Sequence, residues 1–227
     1  MNFRNSPGPS PCLFLSEKNP VHVFLAFAVI AIMVSNGGGF LLSTSATALL
    51  VIDVQESFRH RPYWRDCDVP SFVEYLQSLI DGAQSRKIPV IQIFHVEDSG
   101  PFSLESGYVV PLQDVSFTPD AVFQKRSHSA LVGSGLTVWL TQHSIHRVIV
   151  SGIRTEQCCE TTTRHASDLG YQVDYVTDAT LTFPMTDRYG WEWTPKEIKS
   201  RTELVLDGRF ARITTVEEAL AGGITNL

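Results

Sequence analysis

Four short apolar runs, separated by stretches of helical period, constrain this chain more than any other feature in it. The runs are Ala48–Val54 (ALLVIDV), Pro89–Phe94 (PVIQIF), Arg147–Ile153 (RVIVSGI) and Gln172–Val176 (QVDYV). They are rich in β-branched residues and too short for ordinary globular helices, so they read as buried strands. Between the first two, Phe72, Val73, Leu76, Leu79, Ile80 and Ala83 recur at helical spacing and predict a helix over Ser71–Arg86. Further helices are expected over Leu131–His143 and over Glu156–Leu169, the latter stopped by Gly170. After the fourth strand come a helix at Pro195–Leu206, a short strand at Ala211–Thr214 and a turn of helix at Val216–Leu220. Thr215 and Glu218 have the spacing of a capping box for that last helix. Strands alternating with helices predict an α/β fold: a three-layer αβα sandwich around a mostly parallel, Rossmann-like sheet. The polar, Gly/Pro-rich stretch Asp98–Pro119 reads as a long loop with room for short strands.

This pattern begins only at Thr47. Residues 1–46 differ in character: a Pro/Ser/Asn-rich start, the apolar run Val21–Val34, then Ser35-Asn36-Gly37-Gly38-Gly39. Two units are therefore expected, an N-terminal extension over 1–46 and one α/β domain over 47–227. The apolar run is shorter than the roughly 20 residues that span a bilayer. It reads equally as the apolar part of a signal peptide or as upstream sequence unrelated to the fold. A cytoplasmic location is expected, with export or tethering through Val21–Val34 as the alternative. The net charge of −6 and the lack of any Lys/Arg run argue against a nucleic-acid partner. A small-molecule substrate and a homo-oligomer are expected. The four cysteines, Cys12, Cys67, Cys158 and Cys159, form neither a CxxC pair nor a disulfide framework, which suits a reducing compartment.

Open parallel sheets place their sites at the carboxyl ends of strands. Three candidate features fall there: Asp53, His95, and the run Gly152-Ile153-Arg154-Thr155-Glu156-Gln157-Cys158-Cys159 that opens a helix. A thiol in the first turn of a helix is expected to have a lowered pKa. Cys159, Thr162, Ala166 and Leu169 share one mostly apolar stripe, so Cys159 reads as core and Cys158 as the reactive thiol; the alternative is that both are buried hydrophobes. His165, seven residues after Cys158, lies about 10 Å along the helix and cannot pair with it. His95, His128, His143 and His146 have no spacing that recommends them as bases. Read alone, Lys125 is a surface lysine between a loop and a helix, and Asp53 could simply cap or pair locally.

Three segments in order join these residues. ALLVIDVQESF, FQKRSHSAL and VIVSGIRTEQCCETTTRHASDLGYQVDYVTDA resemble the opening strand, the lysine segment and the nucleophile segment of the isochorismatase-like cysteine hydrolases. That family includes isochorismatases, nicotinamidases and N-carbamoylsarcosine amidases. The resemblance runs from Ala48 to about Leu220 and implies a hydrolase with Cys158 as nucleophile, Asp53 as base and Lys125 stabilising the thiolate. Thr155 sets the register that selects Cys158 over Cys159. The resemblance further implies an oxyanion hole from the backbone N–H groups of Arg154 and Cys158, and a cis peptide at Ile153–Arg154. By family position, Gln55, Phe58, Trp64 and Phe183 are expected to bind substrate. Retention of the cysteine points to amide-type C–N cleavage through a thioester. The other class of reading is a non-catalytic binding module of the same fold. Nicotinamidases carry an Asp-x-His metal motif at the end of the second strand; here those positions are Ile93-Phe94-His95, so neither metal nor other cofactor is expected. Arg154 is placed either on a substrate carboxylate or in an ion pair with Glu97 or Glu156.

Overall fold

A computed structural model describes residues 47–222. Its order is β1 (Thr47–Ile52), α1 (Val69–Ser85), β2 (Val90–His95), β3 (Ala121–Lys125), α2 (Leu136–Gln142), β4 (Arg147–Ile153), α3 (Glu160–Asp168) and β5 (Gln172–Leu181). A two-stranded hairpin, β6 (Met185–Thr186) and β7 (Glu192–Trp193), leads to α4 (Pro195–Leu206), β8 (Arg212–Ile213) and α5 (Val216–Ala221). Six strands form the main sheet in the order β3-β2-β1-β4-β5-β8, every neighbouring pair parallel.

Side chains alternate across a strand, so a fully buried strand must be apolar on both faces. β1 does this: Leu49 and Val51 pack with Phe72, Leu76 and Leu79 of α1 and Val216 and Ala219 of α5. Ala48, Leu50 and Ile52 pack on the opposite face with Leu136 and Leu140 of α2, Ala166 of α3 and Leu206 of α4. Each fully buried aliphatic side chain contributes about 1.5–3 kcal/mol. The result is the three-layer sandwich that the sequence predicts, with α1 and α5 on one face and α2, α3 and α4 on the other.

Strand order reverses between β1 and β4. The chain leaves β1 for β2 and β3 on one side, then returns to place β4 on the other. Such a switch point opens a crevice at the carboxyl ends of its two strands. Gly152 brings them close. Its φ is +121°, and a Cβ built on it would lie 2.0 Å from the Ile52 carbonyl oxygen. No side chain fits there, which explains the glycine physically.

The structure departs from the sequence expectations in several places. Lys125 ends a strand rather than standing between a loop and a helix. β3 is an edge strand whose alternate residues, Val122 and Gln124, are exposed, so its apolar signal is too weak to read. The loop Asp98–Pro119 carries two short 3-10 turns, Gly100–Phe102 and Leu104–Ser106, and a single bridge from Pro111 to Gln55. α2 begins five residues later than expected, and β5 continues to Leu181. A π-type turn at Thr155–Cys159 precedes α3. Val21–Val34 and the rest of 1–46 lie outside the described residues. No helix among the described residues is long and apolar enough to cross a membrane.

Candidate active site

Asp53 leaves β1 at the switch point with φ of +54°. A non-glycine residue held in this left-handed region costs about 1–3 kcal/mol. Its N–H donates to Ile93 O at 2.8 Å, which pins it beside the end of β2. Lys125 reaches it from the end of β3. The Lys125 ammonium lies 2.7 Å from Asp53 Oδ2, and both side chains are fully buried. The same nitrogen donates to Cys158 Sγ at 3.3 Å and to Ser127 O at 3.1 Å. One cation thus bridges a carboxylate from β1 and a thiol from the turn after β4.

Burial dominates the electrostatics of this cluster. It raises the Asp53 pKa, and attraction to Lys125 only partly offsets that. It raises the Cys158 thiol as well, with the neighbouring Asp53 carboxylate adding to the rise and Lys125 opposing it. For Lys125 burial acts downward, yet the pull of Asp53 and Cys158 outweighs it and the ammonium is held above its ordinary value. The expectation of a lowered thiol pKa is therefore corrected. The helix-start effect is small beside burial and a carboxylate within reach. Lys125 stays charged, and Asp53 and Cys158 titrate as a coupled pair.

Two histidines stand at this cluster: His95, which the sequence places at the end of the second strand, and His128, which no spacing recommends. His95 Nδ1 lies 3.2 Å from Lys125 Nζ. As an acceptor from an ammonium, Nδ1 leaves the neutral ring's proton on Nε2, which lies 3.5 Å from Glu97 Oε1. Burial and the Lys125 charge hold His95 below its ordinary pKa, so the ring favours the neutral form. His128 Nδ1 lies 3.7 Å from Cys158 Sγ, its ring parallel to that of His95 at 6.5 Å. Its one legible signal is position: it sits three residues after Lys125 on the same segment. His165 bonds through Nδ1 to Ser129 Oγ at 2.9 Å and takes no part in the cluster.

The Ile153–Arg154 peptide is cis. In the following turn, Gln157 N–H and Cys159 N–H both donate to Arg154 O at 3.2 Å. Among the described residues the Arg154 N–H itself makes no hydrogen bond. A backbone N–H without an acceptor is the kind of donor that can hold a developing oxyanion. Cys159 packs in the core with Ala166 and Tyr175, fully buried.

The residues expected to bind substrate divide. Gln55 is fully buried, and its amide is committed to the backbone of His95 at 2.8 and 3.1 Å and to Ser57 Oγ at 2.8 Å, so it braces the end of β2. Phe58 packs edge-on against Phe102, which packs edge-on against His95. Phe183 lies beneath Tyr63, Trp64 and the Arg154 guanidinium. Arg154 pairs with Glu156 at 2.9 Å, one of the two placements the sequence left open. On the far side of the turn, Glu156, Gln157, Met185, Trp193 and Ile198 line a cavity of about 500 Å³ that none of Asp53, Lys125 and Cys158 borders.

The residues do not fit the metal site of nicotinamidases. The position of the motif's Asp is Ile93, fully buried and without a ligand atom, and His95 Nδ1 faces an ammonium. Among the described residues no group of three His, Cys, Asp or Glu side chains could hold a metal ion.

Comparison with known proteins adds to this geometry. Residues 47–192 match the family model described as the isochorismatase domain. The sequence is 25% identical over 177 residues to YrdC of Bacillus subtilis (strain 168), an uncharacterized isochorismatase family protein, covering 76% of this chain and 94% of that one. It is 30% identical over 172 residues to a nicotinamidase of Escherichia coli (strain K12), with 58% of this chain and 81% of that enzyme covered. Among solved structures, one from Chromobacterium violaceum described as a hydrolase of the isochorismatase family superposes with a TM-score of 0.71. It is 27% identical and covers 80% of this chain and 94% of that one.

Proposed function

This chain belongs to the isochorismatase family of hydrolases, and from that premise we propose that it cleaves the C–N bond of a small amide through a thioester on Cys158. The observation that carries this reading is Lys125 Nζ, placed 2.7 Å from the Asp53 carboxylate and 3.3 Å from the Cys158 sulfur. A thiol held neutral by burial is a poor nucleophile until its proton has somewhere to go. Asp53 provides that acceptor, and the fixed Lys125 cation stabilises charge on either partner while the proton moves.

The steps follow from the positions. Sulfur attacks the carbonyl carbon as its proton passes to Asp53, and a C–S bond forms. The carbonyl electron pair moves onto oxygen, which the N–H groups of Arg154 and Cys158 receive. The tetrahedral species collapses, the C–N bond breaks, and the amine leaves with the proton from Asp53. Water then attacks the thioester, giving its proton to Asp53, and the carboxylic acid departs as the thiol regains its hydrogen. His95 remains neutral and holds the ammonium in place through Nδ1.

The test is a panel of small amides, ureas and carbamoyl compounds assayed for release of ammonia or amine. Turnover of at least one, lost in Cys158→Ala and in Asp53→Asn, supports the reading. Hydrolysis that survives Cys158→Ala in the folded protein defeats it.

A further inference from the structure

The segment after β3 is fastened on both sides of one exposed side chain, His128. Before it, Ser127 O accepts from Lys125 Nζ at 3.1 Å. After it, Ser129 Oγ bonds His165 Nδ1 at 2.9 Å, and the Ala130 N–H donates to Thr162 Oγ1 at 3.0 Å. His165 and Thr162 belong to α3, which continues directly from the turn that carries Cys158. The lysine that bonds the sulfur and the helix that follows it thus hold His128 between them. Its Nδ1 lies 3.7 Å from Cys158 Sγ.

His128 differs from the other groups at the sulfur. The side chains of Asp53 and Lys125 are closed to solvent and Cys158 is 6% exposed, whereas His128 is exposed. Water therefore comes to the sulfur from the side of His128. Lys125 and the backbone N–H groups can only donate hydrogen bonds. His95 has both ring nitrogens engaged, Nδ1 with Lys125 and Nε2 with Glu97. Among the described residues the His128 ring has no hydrogen-bond partner but the sulfur, and 3.7 Å is a long contact even for a thiol.

The acyl-enzyme is the state in which this acceptor matters. A thioester sulfur has no hydrogen to give, so Nδ1 is then open to a closer donor. A water held by Nδ1 at about 2.9 Å stands beside the sulfur, and the acyl carbon is bonded to that same sulfur. Attack requires a lone pair of the water to face the carbon, with both hydrogens turned away. Asp53 accepts one hydrogen, and the second needs another acceptor.

We propose that His128 positions the water that hydrolyses the acyl-enzyme, accepting one hydrogen at Nδ1 while Asp53 takes the other. The water oxygen bonds to the acyl carbon and the C–S bond breaks. The proton taken by Asp53 returns to the sulfur, and the hydrogen held by His128 leaves on the carboxylic acid. This inference rests on the thioester reading above and adds a positioning residue to the second half of that reaction.

The ester p-nitrophenyl acetate separates the two halves, because its good leaving group makes acetylation of Cys158 fast and release of the acetyl group slow. Wild type should give a burst of p-nitrophenolate that Cys158→Ala lacks, then a steady rate set by hydrolysis of the acetyl-enzyme. In His128→Ala the burst rate and kcat/KM should change less than about threefold, while kcat and KM fall together. The expected fall is about 10- to 100-fold, as for lost orientation at a reacting centre. His128→Asn, which keeps an acceptor oxygen near the place of Nδ1, should recover part of the loss, and His128→Leu none. Hydroxylamine attacks the thioester without a held water and should free the acetyl group from wild type and His128→Ala at similar rates. An unchanged steady rate in His128→Ala overturns the inference and leaves the thioester reading standing. So does a burst, or a hydroxylamine release, slowed as much as the steady rate. Absence of both a burst and an acetyl group on Cys158 in wild type defeats the thioester reading and the inference with it.

Discussion

Replacing Lys125 with methionine keeps the side chain's length and removes its charge, leaving the Asp53 carboxylate fully buried without its cation. Breaking one side of a buried ion pair costs about 3–5 kcal/mol, because the remaining charge stays desolvated. The cost should depend on pH, and the sign follows from Asp53. Its folded pKa already lies above the ordinary 3.8, and losing Lys125 removes the largest attraction holding it down. The folded variant therefore keeps a proton that the unfolded chain releases. Stability should fall as pH rises from 3.8 towards the folded pKa, by at most about 1.4 kcal/mol per pH unit. Removing both charges in Asp53→Asn/Lys125→Met should restore stability to within about 1 kcal/mol of wild type and flatten that pH dependence. Urea denaturation from about pH 4 to about pH 8 measures all three proteins. A Lys125→Met loss below about 1 kcal/mol at neutral pH, or one that does not shrink in acid, would refute the reasoning.

Other outcomes follow from the same geometry. Asp53→Asn should abolish turnover yet speed alkylation of Cys158 by iodoacetamide near neutral pH, since the Asp53 charge helps hold the thiol pKa up; slower alkylation measured by mass spectrometry would contradict this. Gly152→Ala should destabilise the fold by several kcal/mol or prevent it, because the new Cβ meets the Ile52 carbonyl at 2.0 Å; a Tm near wild type would show that β1 and β4 do not approach this closely. Chelator treatment should leave the rate unchanged, because Ile93 offers no ligand atom and His95 Nδ1 faces Lys125; loss of activity that zinc, iron or manganese restores would overturn that expectation.

Much of this arrangement is legible in the sequence because it rests on short-range pattern. β1 and β4 are apolar on both faces, and Gly152 followed by Thr155 and Cys158 marks a strand opening into a helical turn at the switch point. Local pattern stops where chemistry depends on distant approach. Lys125 belongs to an edge strand with two of its five residues exposed, so neither the strand nor the burial of its lysine is readable by period. His95 and His128 meet through the β2–β3 register, which pairs His95 with Lys125, and that register is a tertiary fact. The thiol pKa escapes local pattern for a related reason. A helix-start argument is local, whereas the desolvation and the Asp53 charge that decide the matter arrive from other strands.

The central claim is a covalent bond between substrate carbonyl and Cys158, and rapid acid quenching of the enzyme during turnover of an amide substrate tests it most directly. Peptide mass mapping of the quenched protein should find the acyl group on the peptide containing Cys158 and Cys159. The adduct should be absent in Cys158→Ala, present in Cys159→Ala, and removable by hydroxylamine as a thioester is. An adduct that persists in Cys158→Ala, or full turnover by that variant, would contradict the account.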